Sequence, residues 1–242
     1  MATTKLGNTK SASRAINYAE KRAEEKSGLN CDIDYAKSAF KQARALYGKE
    51  NGIQAHTIIQ SFKPGEVTPE QCNQLGLELA EKIAPNHQVA IYTHTDKDHY
   101  HNHIVINSVD LETGKKYQSN KKQRERIKKE NDNICRKHGL SVTQRGTNKS
   151  RYSQAEYEMT KDLIEGKREK IPWKEQIRQV IDQSKATNYD ELDSELNQYG
   201  IKIERLTNKT ITYKHIEENK KVRGSKLGDK YDKGGLEIEF NG

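Results

Sequence analysis

Between Gln88 and Asp110 the chain reads QVAIYTHTDKDHYHNHIVINSVD, and few folds accommodate this stretch. Two β-type runs, VAIYT and HIVIN, flank the polar segment TDKDHY, a natural connection between antiparallel strands. Side chains alternate across a strand, so His101 and His103 share a face. A hairpin closed over Thr95 to Tyr100 brings His94 to meet that pair. Val89 and Ile91 then fall opposite His94, and Ile104 and Ile106 fall opposite His101 and His103. One sheet face can therefore pack on helices while the other carries three converging imidazoles, a metal site open on one side.

Four of the eight histidines, His94, His99, His101 and His103, lie within ten positions, a density that composition alone does not produce. A surface histidine cluster and a pH-sensitive patch are the competing readings. Zinc suits imidazole best; manganese, nickel and cobalt also fit, and magnesium is an unusual guest for an all-nitrogen site. No cysteine lies nearby, so a closed structural zinc site is not expected.

HTDKDHYHNHIVIN resembles the third motif of the P-type (MOBP) plasmid mobilisation relaxases, a branch of the HUH endonucleases. On that likeness His94, His101 and His103 are the metal ligands and Asp96 is the motif's aspartate. HTIIQSFKPGEVTPEQ, from His56 to Gln71, is similar to the segment that precedes it. SASRAINYAEKR resembles the first motif, whose nucleophilic tyrosine falls on Tyr18. The resemblance implies a five-stranded antiparallel palm and metal-dependent nicking of one strand at an origin of transfer. The tyrosine would form a reversible 5′-phosphotyrosine. It also implies Mn2+ or Mg2+ as working metal, with Zn2+, Ni2+ or Co2+ able to occupy the site. Its implied partners are single-stranded or melted oriT DNA, accessory mobilisation proteins and a conjugative coupling protein. Asp96 would either accept the tyrosine proton or hold the outer nitrogen of a histidine ligand, which we expect. His99 is the alternative proton acceptor.

Lys and Arg number 43 against 35 Asp and Glu, a net charge of +8 that favours an anionic partner, most often nucleic acid. No apolar run is long enough to span a membrane, and the N-terminus lacks a signal peptide's apolar stretch, so a cytoplasmic protein is expected. Cys31, Cys72 and Cys135 are widely spaced and odd in number, which fits reduced thiols.

The elements follow in order. Residues 11 to 25 read as a helix carrying Tyr18 among Arg14, Lys21 and Arg22, and 34 to 48 as a second helix. Residues 53 to 62 are a strand. Thr68-Pro69-Glu70-Gln71 opens a helix with a capping box and ends before Pro85. After the hairpin comes a basic helix with Lys121, Lys122, Arg124, Arg126, Lys128 and Lys129, candidate phosphate contacts together with Arg14 and Lys21. We expect an α+β fold: a central antiparallel sheet with helices on one face and the metal site on the other. A nuclease domain should span 1–150, a linker or exposed helix 151–170, and a small C-terminal α/β unit 171–242. That unit should hold two helices, a hairpin around Thr207 and Asn208, and a mobile basic tail with Arg223 and Lys226 that clamps DNA. A rolling-circle initiator or transposase with the same histidines, a zinc hydrolase, and a non-catalytic DNA-binding module remain as alternatives.

Overall fold

The computed structural model describes residues 2–143 and 150–241 and divides the chain into two units, one ending at Thr143 and one beginning at Gln144. The last few residues of the expected first domain, 144–149, lie outside the described residues.

The first unit runs β1 (Thr3–Thr9), α1 (Ala12–Glu20), β2 (Glu25–Leu29), α2 (Ala36–Leu46), β3 (Ala55–Ser61), α3 (Pro69–Ile83), β4 (His87–His94), β5 (His101–Asp110) and α4 (Lys121–Lys137). Its five strands form one antiparallel sheet in the order β1-β3-β5-β4-β2. The histidine hairpin lies inside this sheet, and β4 is buried along its whole length. Two strands were not apparent from local pattern, the edges β1 and β2. The helix expected over 11–25 ends at Glu20, and Glu25–Leu29 pairs with β4 instead.

Each face of the sheet has its own apolar layer. Ile58, Val89, Ile91, Ile104 and Ile106 pack beneath Leu75, Leu79 and Ile83 of α3 and Ile127 and Ile134 of α4. On the other face Ala90, Tyr92 and Val105 pack against Ile16 and Ala19 of α1 and Phe40 of α2. Helices thus cover both faces, which corrects the expectation that they keep to one. The small residues Ala12, Ala19, Ala36, Ala55 and Ala90 let α1 and α2 lie close on the histidine face.

Behind the histidines a buried polar network replaces the apolar layer. Asn102, between His101 and His103, points to the α3 side and is fully buried. It donates to Gln60 Oε1 (2.9 Å) and to the Cys72 carbonyl (2.6 Å), and accepts from Thr93 Oγ1 (2.7 Å). Gln60 in turn donates to Asn131 of α4 (2.9 Å). A buried amide with its partners in place fixes strand register, so the network pins the HxH segment from behind.

The second unit contains α5 (Gln154–Ile164), α6 (Trp173–Gln183), α7 (Tyr189–Gln198), β6 (Ile201–Leu206), β7 (Ile211–His215), β8 (Lys220–Arg223), α8 (Gly224–Leu227) and α9 (Lys233–Phe240). Strands β6, β7 and β8 form a three-stranded antiparallel sheet. The two expected helices and the hairpin are present. The tail is folded rather than mobile, because Val222, Leu227, Tyr231 and Leu236 enter the core with Ile177, Leu192, Leu196 and Tyr213. Within 151–170, α5 is mostly exposed but anchored by the buried carboxylate of Glu156. No helix among the described residues is long and apolar enough to cross a membrane.

Candidate metal and nuclease site

Strand register assembles the three imidazoles. His94 is paired directly with His101, and Tyr92 with His103, across β4 and β5. The ring centroids lie 5.2 Å (His94–His101), 4.3 Å (His94–His103) and 5.2 Å (His101–His103) apart. One candidate ligand atom from each ring falls within 4.8 Å of the others, a spacing a single cation can bridge with modest ring adjustment. His99 stacks 5.5 Å from His101 at the rim.

Backbone carbonyls meet two of the three rings. His94 Nε2 donates to the Ala19 carbonyl (2.6 Å), and His101 Nδ1 lies 3.3 Å from the His99 carbonyl. Burial, with His94, His101 and Arg22 adding positive charge, brings the His103 imidazole down to about 4. His101 is also lowered, chiefly by burial. Both rings are therefore neutral near pH 7, the state that binds a metal ion, and the neutral nitrogen donors suit a borderline divalent cation.

Helix α1 delivers Tyr18 to the same place. Ser11 caps the helix by accepting from the Arg14 amide, and Ile16 and Ala19 bury its inner face. Tyr18, on the outer side, is 59% exposed, so its hydroxyl is open to a ligand and not committed to the core. Its ring meets His103 edge-on at 5.6 Å. Arg22, one turn further on, donates to the Tyr18 hydroxyl through Nη2 (3.1 Å) and to Asp96 Oδ2 through Nη1 (3.1 Å). Tyr18, Arg22, Ile59, Ser61, Asp96, Lys97 and the four histidines line one open cleft.

The fold thus brings together Tyr18, His94, Asp96, His99, His101 and His103. Asp96 faces Arg22, while carbonyls meet the His94 and His101 ring nitrogens where the carboxylate was expected. Arg22 was legible only as a neighbour of Tyr18; its i+4 spacing was the available signal. Arg14 and Lys21 are exposed on and just after α1. The α4 cations Lys121, Lys122, Arg124, Arg126, Lys128 and Lys129 are exposed, but α4 packs on the sheet face away from the triad. Arg126 also donates to the Lys82 carbonyl and Lys121 pairs with Glu125. Arg223 and Lys226 are exposed on the second unit.

A histidine triad on a five-stranded antiparallel sheet, with an exposed tyrosine beside it, is the arrangement that the sequence resemblance to relaxases implies. Residues 12–140 match the family model "Relaxase: MobA/VirD2-like, nuclease domain". A Staphylococcus aureus protein named "Protein rlx" is 70% identical over 241 residues, spanning 99% of this chain and 75% of that protein. The group II intron-interrupted relaxase LtrB of Lactococcus lactis is 26% identical over 197 residues, 74% of this chain and 33% of its own. Among solved structures, the MobM relaxase domain (MOBV; Mob_Pre) bound to 26-nucleotide pMV158 oriT DNA matches with a TM-score of 0.45 and 13% identity. That match covers 64% of this chain and 97% of the MobM relaxase-domain chain. The chain belongs to the MobA/VirD2-like relaxase family, the DNA-nicking nucleases of plasmid mobilisation.

Proposed function

We propose that this relaxase cleaves one strand of its origin of transfer by attack of Tyr18 on a phosphodiester held at His94, His101 and His103. The observation that supports this most directly is the exposed phenol edge-on to His103 in the cleft of the triad. His94, His101 and His103 would hold the divalent cation, and the all-nitrogen donor set favours manganese over magnesium. A cation bound there would supply charge to neutralise the scissile phosphate and polarise phosphorus.

Tyr18 attacks in line, its oxygen bonding to phosphorus as the bond to the 3′-oxygen breaks. The phenol proton leaves through His99 or solvent, and a proton returns to the departing 3′-oxygen. The products are a 5′-phosphotyrosine and a free 3′-hydroxyl; one phosphodiester is exchanged for another without hydrolysis, so the hydroxyl can attack in reverse, displace the phenol and reseal the strand. An exposed tyrosine in an open cleft fits a single-stranded or melted substrate rather than an intact duplex. Lys21 and Arg14 would add salt-sensitive phosphate affinity near the cleft, and the α4 row and Arg223 and Lys226 elsewhere on the surface. Accessory mobilisation proteins and a coupling protein belong to the same reading, as does action in the cytoplasm where plasmid DNA resides.

The test uses fluorescent single-stranded oligonucleotides tiled across the DNA that flanks the chain's own gene, with Mn2+. A protein–DNA adduct that resists denaturation is expected, and is lost in Tyr18→Phe and with chelator. An adduct that survives Tyr18→Phe moves the nucleophile to another tyrosine. Metal-dependent cleavage without an adduct makes the chain a hydrolase, and binding without cleavage a DNA-binding module.

A further inference from the structure

One guanidinium joins two residues of the cleft that are distant in sequence. Arg22 reaches the Tyr18 oxygen with Nη2 and the Asp96 carboxylate with Nη1, each at 3.1 Å, and its carbon lies 5.3 Å from the centre of the Tyr18 ring. The side chains of Arg22 and Asp96 are 49% and 34% exposed. A solvent-facing ion pair of this kind contributes little to stability, so folding alone does not account for it. Its position does: the bridge ends on the one oxygen that has to reach phosphorus.

We propose that Arg22 is a catalytic residue of the nicking reaction and that Asp96 is the positioning residue that holds it. The inference rests on Tyr18 being the nucleophile. A guanidinium carries five N–H donors and keeps its charge at every working pH. Bonds to Tyr18 and Asp96 use two donors and leave others for a non-bridging oxygen of the bound phosphate. The fork would then fix the direction of the phenol oxygen and meet the charge that develops as its bond to phosphorus forms and the bond to the 3′-oxygen breaks. Arg22 neither takes nor supplies a proton in this step. Asp96 acts through Arg22: without the carboxylate the side chain, past the end of α1, is free to leave the phenol. This assigns Asp96 a role different from both proton acceptance and histidine orientation.

The experiment measures single-turnover adduct formation on the tiled oligonucleotide that reacts, over a range of DNA concentrations, in the full chain with Mn2+. Arg22→Gln should slow the rate at saturating DNA about 10²-fold, the size of effect seen when one donor to a developing oxyanion is lost. DNA half-saturation and Mn2+ affinity by calorimetry should stay within about threefold, since no proposed ligand or major phosphate anchor has changed. Arg22→Lys should recover part of the rate, because a point charge cannot bridge both partners. Asp96→Asn should cost about tenfold alone, as for other supporting contacts, and nothing further in the Arg22→Gln background. A guanidinium resonance of Arg22 that moves in both Tyr18→Phe and Asp96→Asn, read by NMR on arginine-labelled protein, reports the bridge without nicking.

Equal losses from Asp96→Asn in both backgrounds would show that Asp96 works independently, and the proposal fails. It fails too if Arg22→Gln alters only half-saturation, or if the Arg22 resonance ignores both variants. Absence of an adduct in the wild-type chain, or its survival in Tyr18→Phe, overturns the nucleophile assignment itself, a different result from any of these.

Discussion

At His94, His101 and His103 three imidazoles stand close together, and burial with the neighbouring rings lowers His101 and brings His103 down to about 4. Neutral imidazoles so placed have no proton to lose before they could share a cation. Replacing His103 by alanine removes one donor while leaving the buried Ile104 and Asn102 in place. Mn2+ affinity by calorimetry should fall by about 100-fold or more, since an outer contact alone is worth 10- to 100-fold, with the thermal midpoint of the metal-free protein little changed. Unaltered affinity would remove His103 from the metal site. These residues were legible because strand alternation is local and the histidines are dense. The partner of Asp96 was not, because Arg22 lies 74 positions away and only α1 packing on the sheet brings them together. The carbonyl of Ala19 carries no side-chain signature at all, so its bond to His94 had to come from the fold.

At the scale of elements, α3 was the best specified. Thr68 accepts from the Gln71 amide, Gln71 accepts from the Thr68 amide, proline sits at the first turn, and Pro85 follows the end. Its glycine has a purpose the propensity scale would miss. A Cβ at Gly76 would come within 2.6 Å of the Asn102 amide nitrogen and 2.9 Å of Ile91, so α3 lies against the back of the HxH segment only with glycine there. Gly76→Ala gains up to about 1 kcal/mol of helix propensity but overpacks the network at roughly 1–3 kcal/mol. We expect net destabilisation in urea, together with a slower nicking rate as Asn102 shifts between the two histidines. A stabilised Gly76→Ala with wild-type nicking would show that the contact relaxes freely. The edge strands were illegible for a related reason: TTKLGNT and EKSGL have one neighbour each and little apolar alternation, so their strand character comes from pairing with β3 and β4.

At the scale of the whole chain, the second unit hides a charge cluster that pattern reading passed over, in which Glu156, from the stretch read as a linker or exposed helix, meets Arg178 of α6. Arg178 is 1% exposed and donates to Glu156 Oε1 (2.9 Å), Glu175 Oε2 (3.2 Å) and the carbonyls of Arg151 and Leu227. The C-terminal tail was misread for a similar reason. Its lysines and glycines suggested mobility, yet Gly224 is needed where a Cβ would collide with the Tyr231 carbonyl. Burial alone would raise the Glu156 carboxyl, but bonds from Ser153, Arg178 and Lys174 prevail and hold it at about 2, below its ordinary 4.5. A carboxylate depressed by folding adds stability that is complete above the unfolded value and disappears as pH falls through the folded one. The Glu156 contribution, about 3 kcal/mol by that linkage, is therefore present above roughly pH 4.5 and lost toward pH 2. Glu156→Gln should cost the second unit about 2–3 kcal/mol at neutral pH, with Glu175 still partly compensating Arg178. Its stability should then decline less steeply between pH 4.5 and 2 than that of the wild type. Trp173, the sole tryptophan, begins α6 in this unit, so its fluorescence in urea reports the second unit within the intact chain. Parallel pH profiles for the two proteins would mean that Glu156 binds its proton equally in the folded and unfolded states, and that Glu175 and the carbonyls alone accommodate the Arg178 charge.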